Sequence, residues 1–487
     1  MRATVGRRIG RHASVHRGPH GIKLSAVVRI GIVAGAGCAA VLAVRAFGRS
    51  YGFFDLKIYH GAVGWWVGGG RLYEFVAPDT TLGFTYPPFA ALAMLPMAGV
   101  PTAIAGWFNV LASLAALAVV LATVLVPIAD RRGWPRWFAV AVAVPLAAAI
   151  DPARETLGFG QVNLLLFALV MADLVGLRWR TRWASGGGPK GGGAWDRFLR
   201  SGAWAGAGIG LATAVKLTPA LFVLYLVVTR QWRVAVTAVG TATAATAATA
   251  LVAGQESMAY FTDVLWQTDR VGHADLTPNQ SLAGLLARLY DSVETPGLLW
   301  LAFAMLMLAV GLSRAANAHA EGDELAAFTL VGLTANVISP ISWSHHLVFV
   351  IPAIVLLADA ALRRRSASRG LVSRGTGATA ATARRRAFGY AGPRYPVWFP
   401  PLTGMGHGVA AAGLYLLFLV APIWPYEHRL PVSHYADGLI GVLAENSMAL
   451  ALIVLVVTLP WRPGAEPAFY PETGVRLDRR VPVRGRR

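Results

Sequence analysis

Apolar segments long enough to cross a membrane recur along almost the whole chain, from residue 24 to residue 460. A helix needs about 20 mainly apolar residues to cross the hydrocarbon core, where only helices and closed barrels satisfy the backbone. Charged residues make up 14% of the sequence, whereas soluble domains average about 25%. The sequence therefore predicts an all-α polytopic membrane protein with about 10–13 membrane helices, some of them short or re-entrant.

Basic residues are concentrated in the gaps between the apolar segments. The net charge is +20, but the basic residues do not form a face with interleaved aromatic residues, which argues against nucleic-acid binding. Loops rich in Lys and Arg are typical of the cytoplasmic side of a membrane. We therefore predict a disordered basic cytoplasmic tail at 1–23, a transmembrane domain at 24–460 that contains a basic cytoplasmic loop at 363–400, and a basic cytoplasmic tail at 461–487.

The same charge asymmetry predicts a multi-pass protein of the plasma membrane with both termini in the cytoplasm. Two segments are ambiguous as full spans, because 84–99 is short enough to be re-entrant and 203–229 is interrupted by a lysine. Four polar segments fall on the outer face, namely those around Asp55, Gln161, Asn279 and His345. Polar side chains from distant parts of the chain are thus expected on one side of the membrane.

Asp55 is an unusual acid, because the chain holds only 24 acidic residues and this one follows the first apolar segment. One interpretation is a solvated loop acid or a partner for Lys57. The other is a catalytic base, since the loop is rich in aromatic residues and adjoins the membrane. Partial desolvation raises the pKa of a carboxylate, which makes it a better proton acceptor for a hydroxyl. We favour the second interpretation.

A lysine and two histidines are the other ionisable candidates. Lys216 lies within an apolar segment and precedes Thr218 and Pro219, which predicts a helix break at that point. It is either a functional cation or a lysine that reaches the membrane interface. His345 and His346 are either an interfacial pair or groups that contact a phosphate or relay protons.

A second set of candidates consists of amides, hydroxyls and arginines. Amides and hydroxyls suit contacts with hydroxyl-rich ligands, or they cap helices, and arginines can pair with a phosphate. These candidates are Gln161, Asn163, Asn279, Gln280, Ser281, Arg154 and Arg288. The single cysteine excludes a cysteine-based metal cluster, and the phosphate-loop and dinucleotide motifs are absent from the sequence. We expect neither a metal nor a cofactor.

Seven short motifs, taken in order, resemble glycosyltransferase family 87, the actinobacterial GT-C enzymes that use polyprenyl-phosphate-mannose. The motifs cover residues 54–346 and leave out the basic loop at 363–394 and the C-terminal tail. They consist of Phe54, Asp55, Leu56 and Tyr59; Leu72 and Tyr73; Phe84, Tyr86, Pro87, Pro88 and Phe89; Gly160, Gln161 and Asn163; Lys216, Thr218 and Pro219; Asn279, Gln280, Ser281 and Leu282; and Ser339, Pro340, Ser342, Trp343, His345 and His346.

The resemblance implies a GT-C-type fold and an inverting α-mannosyltransferase that acts on the extracytoplasmic face. The donor would be β-linked polyprenyl-phosphate-mannose. The acceptor would be a phosphatidylinositol mannoside, lipomannan or lipoarabinomannan, extended through α-(1→2) linkages. Asp55 would deprotonate the acceptor hydroxyl. The residues implied in binding the donor phosphate and the sugars are Lys216, His345, His346, Arg288, Tyr59, Tyr86, Gln161, Asn163, Asn279, Gln280 and Ser281.

Two other functions stay open at the level of the sequence. A transporter or flippase for a lipid-linked precursor would line its path with buried ionisable groups. Against it, the polar candidates gather on one face and no inverted repeat is evident. A GT-C transferase for another polyprenyl-linked sugar, such as arabinose, would carry the same residue types.

Overall fold

The computed structural model describes residues 25–184, 193–373, 405–427 and 432–465. The predicted N-terminal tail, most of the C-terminal tail and most of the loop at 363–400 lie outside these ranges. The α-helices, in chain order, are α1 (Ala26–Phe47), α2 (Phe54–Val67), α3 (Pro88–Ala98), α4 (Thr102–Arg132), α5 (Arg136–Ala149), α6 (Asp151–Phe159), α7 (Asn163–Ala184), α8 (Ala194–Ser201), α9 (Ala207–Val215), α10 (Ala220–Val228), α11 (Trp232–Val252), α12 (Gly254–Thr262), α13 (Leu282–Leu289), α14 (Gly297–Ala320), α15 (Glu324–Ile338), α16 (Val350–Ser373), α17 (Met405–Val420), α18 (Gly438–Glu445) and α19 (Ser447–Thr458).

Within the described ranges, α1, α4, α11 and α14 are each long and apolar enough to cross a membrane. The pairs α5 with α6 and α18 with α19 are bent by 72° and 58°, and each pair adds one span if it crosses as a unit. The prediction of an all-α, multi-pass membrane protein is thus confirmed. α3 has 11 residues and rises about 16 Å, roughly half of the hydrocarbon core, which is consistent with a re-entrant segment at 84–99.

The main hydrophobic core lies where α7, α9, α10, α15 and α16 meet. α9 approaches its neighbours closely, because a Cβ atom at Gly208 would lie 2.0 Å from the carbonyl oxygen of Leu169 on α7. A Cβ atom at Gly210 would lie 2.4 Å from the carbonyl oxygen of Ala238 on α11. Glycines of this kind let membrane helices pack at short distance. They fix α9, and with it Lys216, which follows the last residue of that helix.

The chain breaks between α9 and α10 because Lys216 has extended backbone angles and Pro219 lacks the N–H that a continuous helix would need. The break lies where Thr218 and Pro219 predicted it within the segment 203–229.

A second, smaller core supports α2 and the segment that follows it. Tyr59 and Val63 of α2 pack with Leu72, Phe84 and Tyr260, all of which are buried. α2 also packs against α3. The first loop is therefore a folded unit rather than a solvated connection, which removes the interpretation of Asp55 as a freely solvated loop acid.

The short helix α6 connects the segments that carry the polar motifs. The carbonyl oxygen of Gly158 accepts a hydrogen bond from the N–H of Phe53 (3.0 Å), which holds the entry to α2. The Thr156 hydroxyl donates to the carbonyl oxygen of His345 (3.1 Å). After α6, Gly160 has φ 73°, a left-handed conformation that favours glycine and reverses the chain before α7.

A buried ion cluster ties four segments together at the far end of α4. Arg462 pairs with Asp323 (2.7 Å) and with Asp359 (3.0 Å), and its side chain is almost fully buried. Asp359 also pairs with Arg131 and with Arg363, each at 2.9 Å. Buried charges are stable only when they are paired and hydrogen-bonded, so each member of the cluster depends on the others.

We expect Asp359→Ala to lower the free energy of unfolding by about 3 kcal/mol, because three arginines of the cluster, Arg131, Arg363 and Arg462, then have one carboxylate, Asp323, in place of two. The measurement is the midpoint of unfolding in detergent, beside the control Asp196→Ala, which breaks only an exposed pair with Arg200. Equal midpoints for the two variants would contradict a stabilising role for the cluster.

Candidate active site

One open cavity, of about 1240 Å³ including the solvent at its mouth, brings together candidates that are far apart in the sequence. Its walls come from α2, the segment 82–87, the turn before α7, the break after α9, the segment 260–271 and the loop 339–346. Six residues predicted for the site line it, namely Asp55, Tyr59, Tyr86, Gln161, Lys216 and His346. The cavity is therefore the candidate active site.

Asp55 is held at one side of the cavity by a hydrogen-bond network. Gln161 Nε2 donates to Asp55 Oδ2 (2.5 Å) and to the Tyr59 hydroxyl (2.8 Å). The Tyr86 hydroxyl donates to Gln161 Oε1 (2.8 Å) and accepts from the Tyr59 hydroxyl (3.2 Å). The Gln161 backbone is fixed as well, since Asn109 Nδ2 donates to its carbonyl oxygen (3.2 Å). The carboxylate is thus oriented by side chains that have little freedom themselves.

The position of Asp55 follows from the backbone that precedes it. Gly52 and Phe53 have φ 55° and 60°, a left-handed turn that starts α2 and puts the acid in the first helical turn. Burial raises the pKa of Asp55 to about 6, while the hydrogen bond from Gln161 and the charge of Lys216 act in the opposite direction. Near neutral pH this carboxylate is ionised, yet it is a better proton acceptor than a solvated aspartate.

Lys216 lines the cavity with an ammonium group, as Arg270 does with a guanidinium group. Its Nζ atom lies 3.2 Å from Asn163 Oδ1 and 2.8 Å from His346 Nε2. It also lies 5.3 Å from the centre of the Tyr86 ring, within cation–π distance. His346 is oriented by its own backbone turn, because its Nδ1 accepts from the N–H of Trp343 (3.2 Å), which directs Nε2 at Lys216.

Lys216 and His346 also line a second cleft, of about 560 Å³ including the solvent at its mouth. Most of its wall is apolar, with Leu166, Phe167, Val170, Phe222, Val348 and Phe349 among the lining residues. Both spaces share Lys216, His346, Ser339 and Ile341. Lys216 therefore lies at the boundary between the apolar cleft and the polar cavity that contains Asp55. Asn163, which contacts Lys216, lines the cleft.

Four predicted site residues line neither space, and three of them, Asn279, Gln280 and Ser281, hold the loop 339–346. Asn279 Oδ1 accepts from the N–H of Ser342 (2.9 Å), and the N–H of Gln280 donates to the carbonyl oxygen of Ser342 (2.8 Å). The Ser281 hydroxyl donates to the carbonyl oxygen of Pro340 (3.1 Å) and caps α13. Arg288 lies further away, and its Nε atom donates to Asn446 Oδ1 (2.8 Å).

His345 and Arg154 also lie outside the residues that line the two spaces. The buried ring of His345 lies 5.3 Å from that of Phe159 and 4.6 Å from that of His346. Arg154 is buried against Asp151 (3.1 Å). A contact of these two residues with substrate stays a prediction. Their observed contacts are with other side chains around the site.

Sequence reasoning missed several residues of the cavity. Arg270 and Gln267 line it, and the Asn109 side chain hydrogen-bonds to the Gln161 backbone. Trp343 also lines it, and the sequence placed it in a family motif but not among the site residues. The lone amide of Asn109 in an apolar helix was a usable signal, because a polar group in the membrane needs a partner. Gln267 and Arg270 lie in an irregular polar segment, and nothing in its pattern indicated which side chains turn inward.

The central part of the chain matches the model of a known protein family. The model of glycosyltransferase family 87 matches residues 84–340, so Asp55 and Tyr59 precede the matched region. Among solved structures, the chain is similar to the crystal structure of ArnT from Cupriavidus metallidurans bound to undecaprenyl phosphate. The TM-score is 0.34 with 16% identity, over 88% of this chain and 76% of that chain, which does not establish a shared fold.

Curated relatives agree with the family. The chain is 33% identical to the polyprenol-phosphate-mannose-dependent alpha-(1-2)-phosphatidylinositol mannoside mannosyltransferase of Mycolicibacterium smegmatis, over 66% of this chain and 73% of that protein. It is 31% identical to the protein of the same name from Mycobacterium tuberculosis, over 68% and 76%. It is also 32% identical to a phosphatidylinositol pentamannoside mannosyltransferase from Mycobacterium tuberculosis, over 65% and 69%. With more than half of its residues matched by the family model, and with these relatives, the chain belongs to glycosyltransferase family 87.

Proposed function

We propose that the chain is a mannosyltransferase that moves mannose from polyprenyl-phosphate-mannose to a mannosylated phosphatidylinositol lipid or a lipoglycan built from one. The observation that carries the proposal is the single boundary formed by Lys216 and His346, with a carboxylate cavity on one side and an apolar cleft on the other. The names of the relatives supply the sugar, its carrier and the acceptor class. The alpha-(1-2) linkage in those names is proposed for this chain as well.

The donor fits this boundary by its chemistry. A polyprenyl phosphate sugar is an apolar chain, an anionic phosphodiester and a polar sugar in a row. The apolar cleft suits the first units of the polyprenol, and a buried cation with hydrogen-bond donors suits the phosphate. Lys216 and His346 would contact the phosphate, with Asn163 orienting the ammonium group. The donor mannose would then lie in the cavity that contains Asp55.

The proposed reaction is a single displacement. The acceptor hydroxyl gives its proton to Asp55, and its oxygen forms a bond to the anomeric carbon of the donor mannose. The bond between that carbon and the phosphate oxygen breaks on the opposite face, and its electron pair stays with the polyprenyl phosphate. Lys216 stabilises the negative charge that develops on the leaving group. The β-linked donor therefore yields an α-linked product.

The cavity is proposed to face the extracytoplasmic side. Asn109, which contacts Gln161, and Arg131, in the ion cluster, lie on the same helix, α4. At 1.5 Å per residue they are about 33 Å apart, the thickness of the hydrocarbon core. The end that holds Arg131 is also where the basic segment 363–365 of α16 lies. By the positive-inside rule that end is cytoplasmic, so Asp55 is outside. The same rule, applied to the basic sequences 1–23 and 461–487, puts both termini inside.

The pH dependence of transfer follows from the pKa of Asp55. The base must be ionised to accept a proton, and burial raises its pKa to about 6. We expect kcat/KM to be constant above that pH and to fall about tenfold per pH unit below it. The measurement is a profile of kcat/KM from pH 5 to pH 8. A rate that stays constant down to pH 5 would exclude Asp55 as the titrating base.

The function is tested by supplying the purified protein in lipid nanodiscs with a labelled phosphatidylinositol mannoside and one donor at a time. We expect mannose transfer from polyprenyl-phosphate-mannose and none from GDP-mannose. Preferential transfer from polyprenyl-phosphate-arabinose would show that the donor sugar is arabinose, while the type of reaction stays as proposed. If no polyprenyl-linked sugar is transferred, yet such a lipid moves between the leaflets of vesicles that contain the protein, the protein is a transporter instead.

A further inference from the structure

The polar cavity has a region that the donor does not need. The donor phosphate and polyprenol are assigned to the side of the cavity that adjoins the apolar cleft. Trp343, Arg270 and Gln267 line the cavity but not the cleft. Resting on the proposed function, we propose that Trp343 and Arg270, which line the same cavity, form the subsite for the acceptor sugar that presents its hydroxyl to Asp55.

The backbone of Trp343 makes the hydrogen bonds that hold this residue, so its indole is available to contact a ligand. Its carbonyl oxygen accepts from the N–H of His346 (2.8 Å), and its own N–H donates to His346 Nδ1 (3.2 Å). It also forms an isolated β-bridge with Asn279. These contacts of the backbone do not involve the indole, so replacing the indole leaves the position of His346 unchanged.

The indole is packed on one side and partly exposed to the cavity. Gly272 has φ 123°, and a Cβ atom there would lie 3.2 Å from the six-membered ring of Trp343. A glycine is therefore what fits against this ring. Tyr59, Tyr86 and Tyr260 also line the cavity, but they are buried, whereas Trp343 keeps part of its surface exposed.

An exposed indole beside hydrogen-bond donors suits a sugar. One face of a pyranose ring is made of C–H groups, which pack on an aromatic ring, while its hydroxyls point sideways to polar groups. Arg270 Nη2 donates to the carbonyl oxygen of Tyr73 (2.6 Å) and Nη1 to Gln267 Oε1 (3.4 Å). A guanidinium carries five N–H donors, so these contacts fix the group and leave donors for hydroxyls.

The test compares Trp343→Leu, Trp343→Phe and the control Trp266→Leu in KM for acceptor and KM for donor. Trp266 is an exposed tryptophan of the neighbouring turn and is not among the cavity residues. We expect Trp343→Leu to raise the acceptor KM about tenfold and the donor KM less than twofold, because the stacking surface is lost. Trp343→Phe should recover most of the acceptor affinity, and Trp266→Leu should change neither value.

An acceptor KM that stays unchanged in Trp343→Leu, or that rises together with the donor KM, would overturn the assignment. So would a phenylalanine variant no better than the leucine variant. If Trp343→Leu does not fold, Arg270→Gln gives the same test, with the acceptor KM again expected to rise selectively. The wild type separates the two proposals, because a protein that transfers no sugar contradicts the proposed function, whereas normal transfer with unselective variants contradicts only the subsite.

Discussion

Asp55→Asn is expected to lower kcat by about 10²–10⁴-fold, the range by which a positioned general base accelerates a reaction. Asparagine has the same shape and accepts a hydrogen bond from Gln161, but it cannot take a proton. The donor should still bind, because Lys216 and the apolar cleft are unchanged. The measurement is the initial rate of mannose transfer at saturating donor and acceptor, with binding of polyprenyl phosphate determined on the same preparation.

Asp79→Asn is the matched control for this change. Asp79 is an exposed acid of the segment between α2 and α3 with φ 59°, a conformation that asparagine also tolerates. We expect the control to transfer mannose at the wild-type rate. A substantial rate in Asp55→Asn, or an equal loss in both variants, would show that the loop matters for a reason other than the carboxylate.

Lys216→Met is expected to lower kcat/KM by about 10²–10³-fold, as removal of a single group that stabilises developing charge does in other enzymes. Methionine keeps the apolar stem but removes the ammonium group that contacts His346 and Asn163. A second effect should accompany the first. Because the charge of Lys216 lowers the pKa of Asp55, its loss should move the midpoint of the pH profile above 6.

Lys57→Met provides the control for charge removal. Lys57 is an exposed lysine of α2, two residues after Asp55, and its loss changes the net charge by the same amount. We expect unchanged kinetics in this variant. Equal losses in Lys216→Met and Lys57→Met would point to a general electrostatic effect on the anionic donor rather than to a contact with its phosphate.

Ionisable residues in or beside apolar segments made much of the site predictable from the sequence. Asp55 and Lys216 stand out because ionisable residues are rare in or beside apolar segments, where each needs a partner or a function. Charge asymmetry assigned the segments of Asp55, Gln161 and His346 to one side, and the cavity brings these three residues together. The break at Lys216 followed from the proline behind it.

Long-range partners could not be predicted in the same way. Arg288 was a reasonable candidate for a phosphate, but its partner Asn446 lies 158 residues further along the chain. Asn279 was predicted to bind a sugar, yet its side-chain amide hydrogen-bonds to the backbone of Pro340 and Ser342 in the loop 339–346. Residue type tells that a buried amide or guanidinium will be hydrogen-bonded, whereas only the packing of the helices tells to which group.

The most direct test of the central claim, that Asp55 acts as a base in a single displacement from a lipid-linked donor, is the anomeric configuration of the transferred mannose. β-Linked polyprenyl-phosphate-mannose and a phosphatidylinositol mannoside would be incubated with the wild-type protein, and the anomeric signals of the product recorded by NMR. The account predicts an α-linked mannose. A β-linked product would contradict it, because retention requires a second displacement in which the carboxylate acts as a nucleophile rather than a base.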